Sequence, residues 1–310
     1  QQTTTWSFSG MSGLRHQSNA NAAPSGQVVR AGGVDTTLGR EFMRKPDWNW
    51  HVGGTLRHVR DLENQRGDTI EAHLTGYYSR QFSLTSLNAG ILDGAIGPRL
   101  ALAPDMLPGW SIKPYIAGSF VTLGDVPYLA SPGYGVSMMM PFETVLIEAG
   151  YEHRRRNFIE TGANPGVHDQ NGRYHLAFAN LGARLNASLR WSLRAAVSRS
   201  NARADFQSNL AQSLEAGLSY EFRPWASAAE PWTLTPFIGG SLVRYDQPNP
   251  SIDKNVRRRD KEWRTGLRLD APVTANVGLG LVMQYSDVKS SLPNHRMHNF
   301  SVSFGPSVRF

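Results

Sequence analysis

Apolar and small polar residues alternate one by one along most of this chain, up to its last residue. In Asn299–Phe310, Phe300, Val302, Phe304, Val308 and Phe310 fall on one face of an extended strand, and Ser301, Ser303, Gly305, Ser307 and Arg309 on the other. The same period runs through Val277–Ser286, through Glu262–Ala271, where Trp263, Leu267 and Leu269 oppose Arg264 and Arg268, through Ser213–Phe222 and through Trp48–Arg57. No segment shows a comparable helical stripe, so the pattern points to a chain made of strands.

The connections alternate as well. Short ones fall at 45–47, 79–81, 140–143, 186–188 and 272–276, and longer, more polar ones at 16–26, 158–172, 247–258 and 289–296. Short turns at one end and long loops at the other describe an all-β fold, a transmembrane antiparallel up-and-down β-barrel. Strands are expected near 4–16, 28–44, 48–61, 67–79, 82–92, 94–102, 110–122, 132–140, 144–157, 172–186, 188–203, 209–223, 232–245, 259–272, 276–287 and 297–310. The reading is therefore a single outer-membrane barrel domain over 1–310 with about 14–16 strands, 16 favoured, the segments around 82–102 being weakest.

Composition narrows the alternatives. The chain has no cysteine, so disulfides, thiolate metal sites and cysteine nucleophiles drop out. Charged residues make up 18% and mean hydropathy is -0.38, which argues against wholesale disorder. No apolar run approaches the ~18 residues of a membrane-spanning helix. The opening QQTTTW carries neither an initiator Met nor a basic-then-apolar leader, as expected after removal of a signal peptide or in a fragment of a longer protein.

A soluble β-sandwich would share the alternation, and aromatic placement separates the two. Trp48, Trp110, Trp191 and Trp232 each open a strand that follows a short turn, which puts all four at one membrane interface in the barrel reading. Tyr245, Trp263, Tyr285 and Phe300 sit where strands meet long loops and would form the second aromatic girdle. Tryptophan also simply suits strands. Pro114, Pro236 and Pro306 fall inside strands and each costs a ladder donor.

Lys and Arg number 32 against 25 Asp and Glu, a formal net charge of +7. The basic residues are spread over strands and loops without a nucleic-acid-binding fold, so no nucleic-acid partner is expected. Two clusters, Arg154, Arg155 and Arg156, and Arg257, Arg258 and Arg259, fall at the ends of strands that meet long loops. They read as outer-rim contacts to the phosphates of outer-membrane lipids such as lipopolysaccharide, or as a solvated loop margin. The inward parity carries Arg57, Glu71, His73, Arg173, His175, Arg190, Arg194, Glu215, Glu221, Glu262, Arg264, Arg268 and Asp270. These line the lumen, either as a cross-strand ladder of opposite charges or as a positive pore that favours anions.

There is no GxSxG elbow and no His/Asp/Glu spacing that fits a metal. Glu71 with His73, or Arg173 with His175, would share one strand face, as period two makes commonplace. The chain is read as a non-enzyme, without cofactor or metal and with no catalytic residue.

The stretches QSNANAAPSG in the first loop, GPRLALAP in the middle and SSLPNHRMHNFSVSFGPSVRF at the end resemble the C-terminal barrel domain of the surface lipoprotein assembly modifier family and related outer-membrane proteins. That resemblance implies a role in translocation or export, with surface lipoproteins as cargo, and a periplasmic helical-repeat domain or partner. The terminal Phe310 resembles the signal by which the barrel-assembly machinery recognises outer-membrane strands. An anion-favouring porin and a plugged scaffold barrel are the alternative functions.

Overall fold

A computed structural model describes residues 3–225 and 230–310. Its core is a closed antiparallel barrel of fourteen strands. In chain order these are β1 (Thr4–Gln17), β4 (Asp47–Asp61), β5 (Thr69–Gln81), β6 (Ala89–Ala101), β7 (Ser111–Leu123), β8 (Val126–Pro141), β9 (Leu146–Phe158), β10 (Gly172–Arg184), β11 (Leu189–Ala202), β12 (Asn209–Phe222), β13 (Trp232–Tyr245), β14 (Arg259–Pro272), β15 (Val277–Ser290) and β16 (Met297–Arg309). Two further short strands, β2 (Val28–Ala31) and β3 (Val34–Thr37), pair only with each other.

The count of sixteen is corrected at two places. The segment 28–44 is not a wall strand, because Gly32 and Gly33 both take positive φ and fold the β2–β3 hairpin within the connection 18–46. The segments 82–92 and 94–102 are one strand, β6, preceded by a tight turn at Thr85–Leu87.

Each wall strand pairs with the next wall strand along the chain, β1 with β4 included, and β1 closes the sheet against β16. Phe8 and Phe310 exchange backbone hydrogen bonds of 2.6 and 2.9 Å there, with ring centroids 5.3 Å apart. β1 starts and β16 stops at one end, the terminal end; the opposite, distal end carries the long connections 18–46, 159–171 and 246–258. Residues 45–47 and 79–81, expected as short turns, both lie at the distal end. Trp48 consequently lies at the opposite end from Trp110, Trp191 and Trp232, because with 28–44 removed from the wall β4 runs away from the distal end.

Pro114, Pro236 and Pro306 each fall at a break in a ladder, since proline has no N–H to donate. Pairing skips from Met11↔Ser307 to Leu14↔Phe304 around Pro306, from Ile96↔Ile116 to Leu100↔Ile112 beside Pro114, and from Gly217↔Phe237 to Tyr220↔Leu234 beside Pro236.

Burial is inverted relative to a water-soluble domain. Asn49, His51, Ser79, Lys113, Ser131, Ser137 and Ser303 are buried, whereas Trp50, Leu74, Ile96, Ile116, Leu214, Ile238, Trp263, Leu279 and Phe304 are exposed. The polar parity faces inward and the apolar parity outward on strand after strand, the arrangement that suits a hydrocarbon surrounding.

Candidate functional site: the barrel interior

Period two, carried across by the pairings, fixes which side chains meet inside. Arg57, Glu71, His73 and Arg194 line one interior cavity of about 720 Å³ together with Asp93, Arg99, Lys113, Tyr115, Glu148, Glu152 and Arg154. Within it Glu71 binds Arg99 at 2.6 Å and Lys113 at 3.1 Å, and Arg99 donates to the Ser111 hydroxyl at 3.2 Å. Arg154 bridges Asp93 at 2.8 Å and Glu152 at 2.5 Å, and the Tyr115 hydroxyl donates to Glu152 at 3.1 Å. These pairs hold the wall β5–β9 together across the interior face.

A second network lies on β11–β14. Arg264 binds Glu215 at 2.8 Å and lies 3.8 Å from Glu262, whose carboxylate accepts from Ser241. Arg190 pairs with Glu221. Arg268 and Asp270 line a separate interior cavity of about 420 Å³ with Ser9, Gly53, Gly280 and Ser307. A third, of about 460 Å³, is bounded by Arg15, Gln17, His51, Tyr77, Gln284, Ser301 and Ser303. The His51 ring lies 2.7 Å from the Ser303 hydroxyl across β1.

Several interior guanidiniums stand apart, Arg156 over the Tyr174 ring among them. Arg15, Arg57, Arg194 and Arg268 have no carboxylate within 4.0 Å among the described residues. Arg268 lies 5.4 Å from the centre of the Phe237 ring and Arg15 5.7 Å from that of Tyr77. Arg15, Arg99 and Lys113 do not figure among the lumen residues expected from the sequence, and Arg154 was expected at the outer rim instead. Their inward parity follows once the strands are in register.

Several expected positions are corrected. Arg173 and His175 point outward, opposite Arg155 and His153 of β9; Tyr174, Leu176 and Phe178 take the inward parity of β10. Arg154 and Arg156 point inward and are not outer-rim residues; Arg156 lies 3.7 Å from the centre of the Tyr174 ring. Arg258 turns in over Tyr245, at 4.6 Å, and binds Asp260 at 2.7 Å. Tyr245 shares the inward parity of Val243 and Ser241 and is no part of an outward girdle. Arg155, Arg257 and Arg259 are exposed at the distal end.

Trp263 packs against Tyr285 on the outward face near the distal end, the rings tilted and their centroids 5.4 Å apart. At the terminal end Trp110 packs edge-on against Phe142, and Trp232 against Phe222 and Trp225.

The distal connections interlock. Arg30 of β2 binds Asp253 at 3.0 Å and Asp35 at 2.9 Å, and the backbone N–H groups of Gly32 and Gly33 donate to Ser251 and Ile252. Asn294 exchanges two hydrogen bonds of 2.9 Å with the Arg30 backbone. Val29 and Leu292 are buried in the same cluster.

No family model matches the chain, and no curated protein sequence matches it. Among solved structures it is similar to the outer membrane channel DcaP of Acinetobacter baumannii, at 8% identity over 99% of this chain and 97% of that one, with a TM-score of 0.50. It is also similar to a Pseudomonas aeruginosa FadL homologue (10% identity, 99% and 90% covered, TM-score 0.48) and to an anion-selective porin from Comamonas acidovorans (8%, 99% and 99%, TM-score 0.45). At such identities the likeness to the channel shows the fold alone, a closed barrel of the outer-membrane type.

Proposed function

We propose that this chain is a bacterial outer-membrane barrel that conducts small solutes, anions ahead of cations. The observation that carries the reading is the set Arg15, Arg57, Arg194 and Arg268, interior guanidiniums with no carboxylate beside them among the described residues. An unneutralised cation on a narrow low-dielectric wall raises the local potential and concentrates anions. The exposed apolar parity of the same strands supplies the surface that lipid would cover. Purified protein inserted in a planar bilayer should pass current, and its reversal potential in a KCl gradient should have the sign of chloride selectivity. A cation-selective pore would refute the reading.

Export of surface lipoproteins, which the sequence resemblance implies, is the second reading. It is favoured by the interlocked distal connections, which give that end a built face over which an exported protein could pass. It expects a bilayer that stays closed and a requirement for a periplasmic partner.

A further inference from the structure

Three cross-strand pairs at the distal end set like charges directly opposite one another on the outward face. They are Arg155 with Arg173, Arg244 with Arg259, and Lys261 with Lys289. All six residues are exposed, and none makes an ion pair among the described residues. Directly opposed like charges destabilise a sheet pair, so such pairs ask for a counter-charge from outside the chain.

Four of the six form one patch on β13–β15, two rungs deep. Below it on β14 the outward residues run Arg259, Lys261, Trp263, Thr265, Leu267, Leu269: cations, then an aromatic, then aliphatics. From Arg259 to Trp263 is about 13 Å along the strand, or about 10 Å of depth at the usual barrel tilt. Asp287, level with Trp263, accepts from its indole N–H at 3.2 Å and bridges neither lysine. At the terminal end the outward face of the same strands carries Trp232, Ala271 and Val277 instead.

We propose that this patch binds the phosphate groups of anionic lipid headgroups in the leaflet around the distal end. The proposal rests on the membrane-spanning reading above. Guanidinium matches phosphate as a two-pronged donor, lysine adds point charge, and the aromatic rung beneath marks the level where headgroups meet acyl chains.

The test is native mass spectrometry of the full chain in detergent with diphosphorylated lipid A and with its dephosphorylated form. The wild type should retain the diphosphorylated lipid only. R244Q/R259Q/K261Q/K289Q should lose it, whereas R244K/R259K should keep most of it. Equal retention by the quadruple variant, or of the dephosphorylated lipid, overturns the proposal. Displacement of bound lipid by inorganic phosphate at matching concentration also overturns it, by showing a site for small anions. Should the quadruple variant not assemble, K261Q/K289Q gives the same reading at half the charge removed. Conductance of the same preparation is scored separately: a closed barrel that still holds the lipid sinks the channel reading and spares this one.

Discussion

A Cβ built on Gly305 of β16 would lie 2.0 Å from the carbonyl oxygen of Ser12 on β1. Across the same seam, a Cβ on Gly13 would lie 2.1 Å from the carbonyl oxygen of Phe304. The backbones therefore approach closely where the barrel closes and where Pro306 interrupts the ladder. Gly305→Ala should destabilise the barrel by about 1–3 kcal/mol, the usual cost of forcing atoms into a filled space. Gly118→Ala, whose added carbon has nothing within 4 Å, is the matched control. The temperature at which the compact electrophoretic form converts to the unfolded one should fall for the first variant only; equal midpoints would mean that the seam yields without cost.

Arg264 and Arg268 share one face of β14 but differ in company. Removing the charge of Arg264 leaves Glu215 and Glu262 without their shared cation, so Arg264→Gln should lower stability, by about 1 kcal/mol or less because the pair is partly solvated. Arg268→Gln removes a cation that neutralises nothing within 4 Å among the described residues. It should leave stability unchanged and shift the reversal potential toward cation permeation. An unaltered potential in an assembled, conducting Arg268 variant rejects its role in selectivity.

Accessibility follows from which end each connection occupies. Cysteines introduced singly in 161–168 or 248–255 should react with a membrane-impermeant thiol reagent on intact cells, and one in 273–276 should not, since these segments lie at opposite ends of the barrel. Labelling confined to 273–276 would place the terminal end, and not the distal end, at the cell surface.

Acid should loosen the distal connections. Burial, reinforced by Arg258 and opposed by Asp260, pulls the His295 imidazole down to about 4. Asp253 is held below the usual carboxylate range by the Asn255 backbone N–H, with Arg30 adding to the effect. A released His295 returns to about 6.5, so the open form binds the extra proton first as pH falls. The stability it contributes is full above about 6.5 and fades toward pH 4, and Asp253 adds a loss of the same sign at lower pH. Hydrogen exchange in 18–46 and 246–258, corrected for intrinsic rates, should be faster at about pH 5 than at about pH 7, with the wall strands of the barrel unaffected. His295→Gln should flatten this dependence; protection that does not change across the window contradicts it.

The alternation of β14, β15 and β16 was legible because their outward faces are apolar over most of their length. Parity failed on β10 because both of its faces are mixed. Leu176 and Phe178 face the interior while Arg173 and His175 lie outward near the distal end, so a rule that sends charge inward inverts the strand. The strands outrun the apolar band, and beyond it an outward residue is free to be charged. The strand count failed where local signals were ambiguous: Gly32–Gly33 folds a hairpin inside what reads as one long segment, and the turn at 85–87 carries no proline or glycine. The unpaired arginines were only partly legible, since pairing depends on neighbours that the register brings together.

The β1–β16 seam also sets how this chain has to fold. Residues about 300 positions apart must meet before either strand has its full complement of partners, and a loop of that length closes slowly. Until then the barrel is an open sheet with two unpaired edges and an apolar face, a state prone to sticking to other chains. No run of strands short of the full set removes those edges, so a chain shortened by its last hairpin would retain most of its contacts and still lack a protected state.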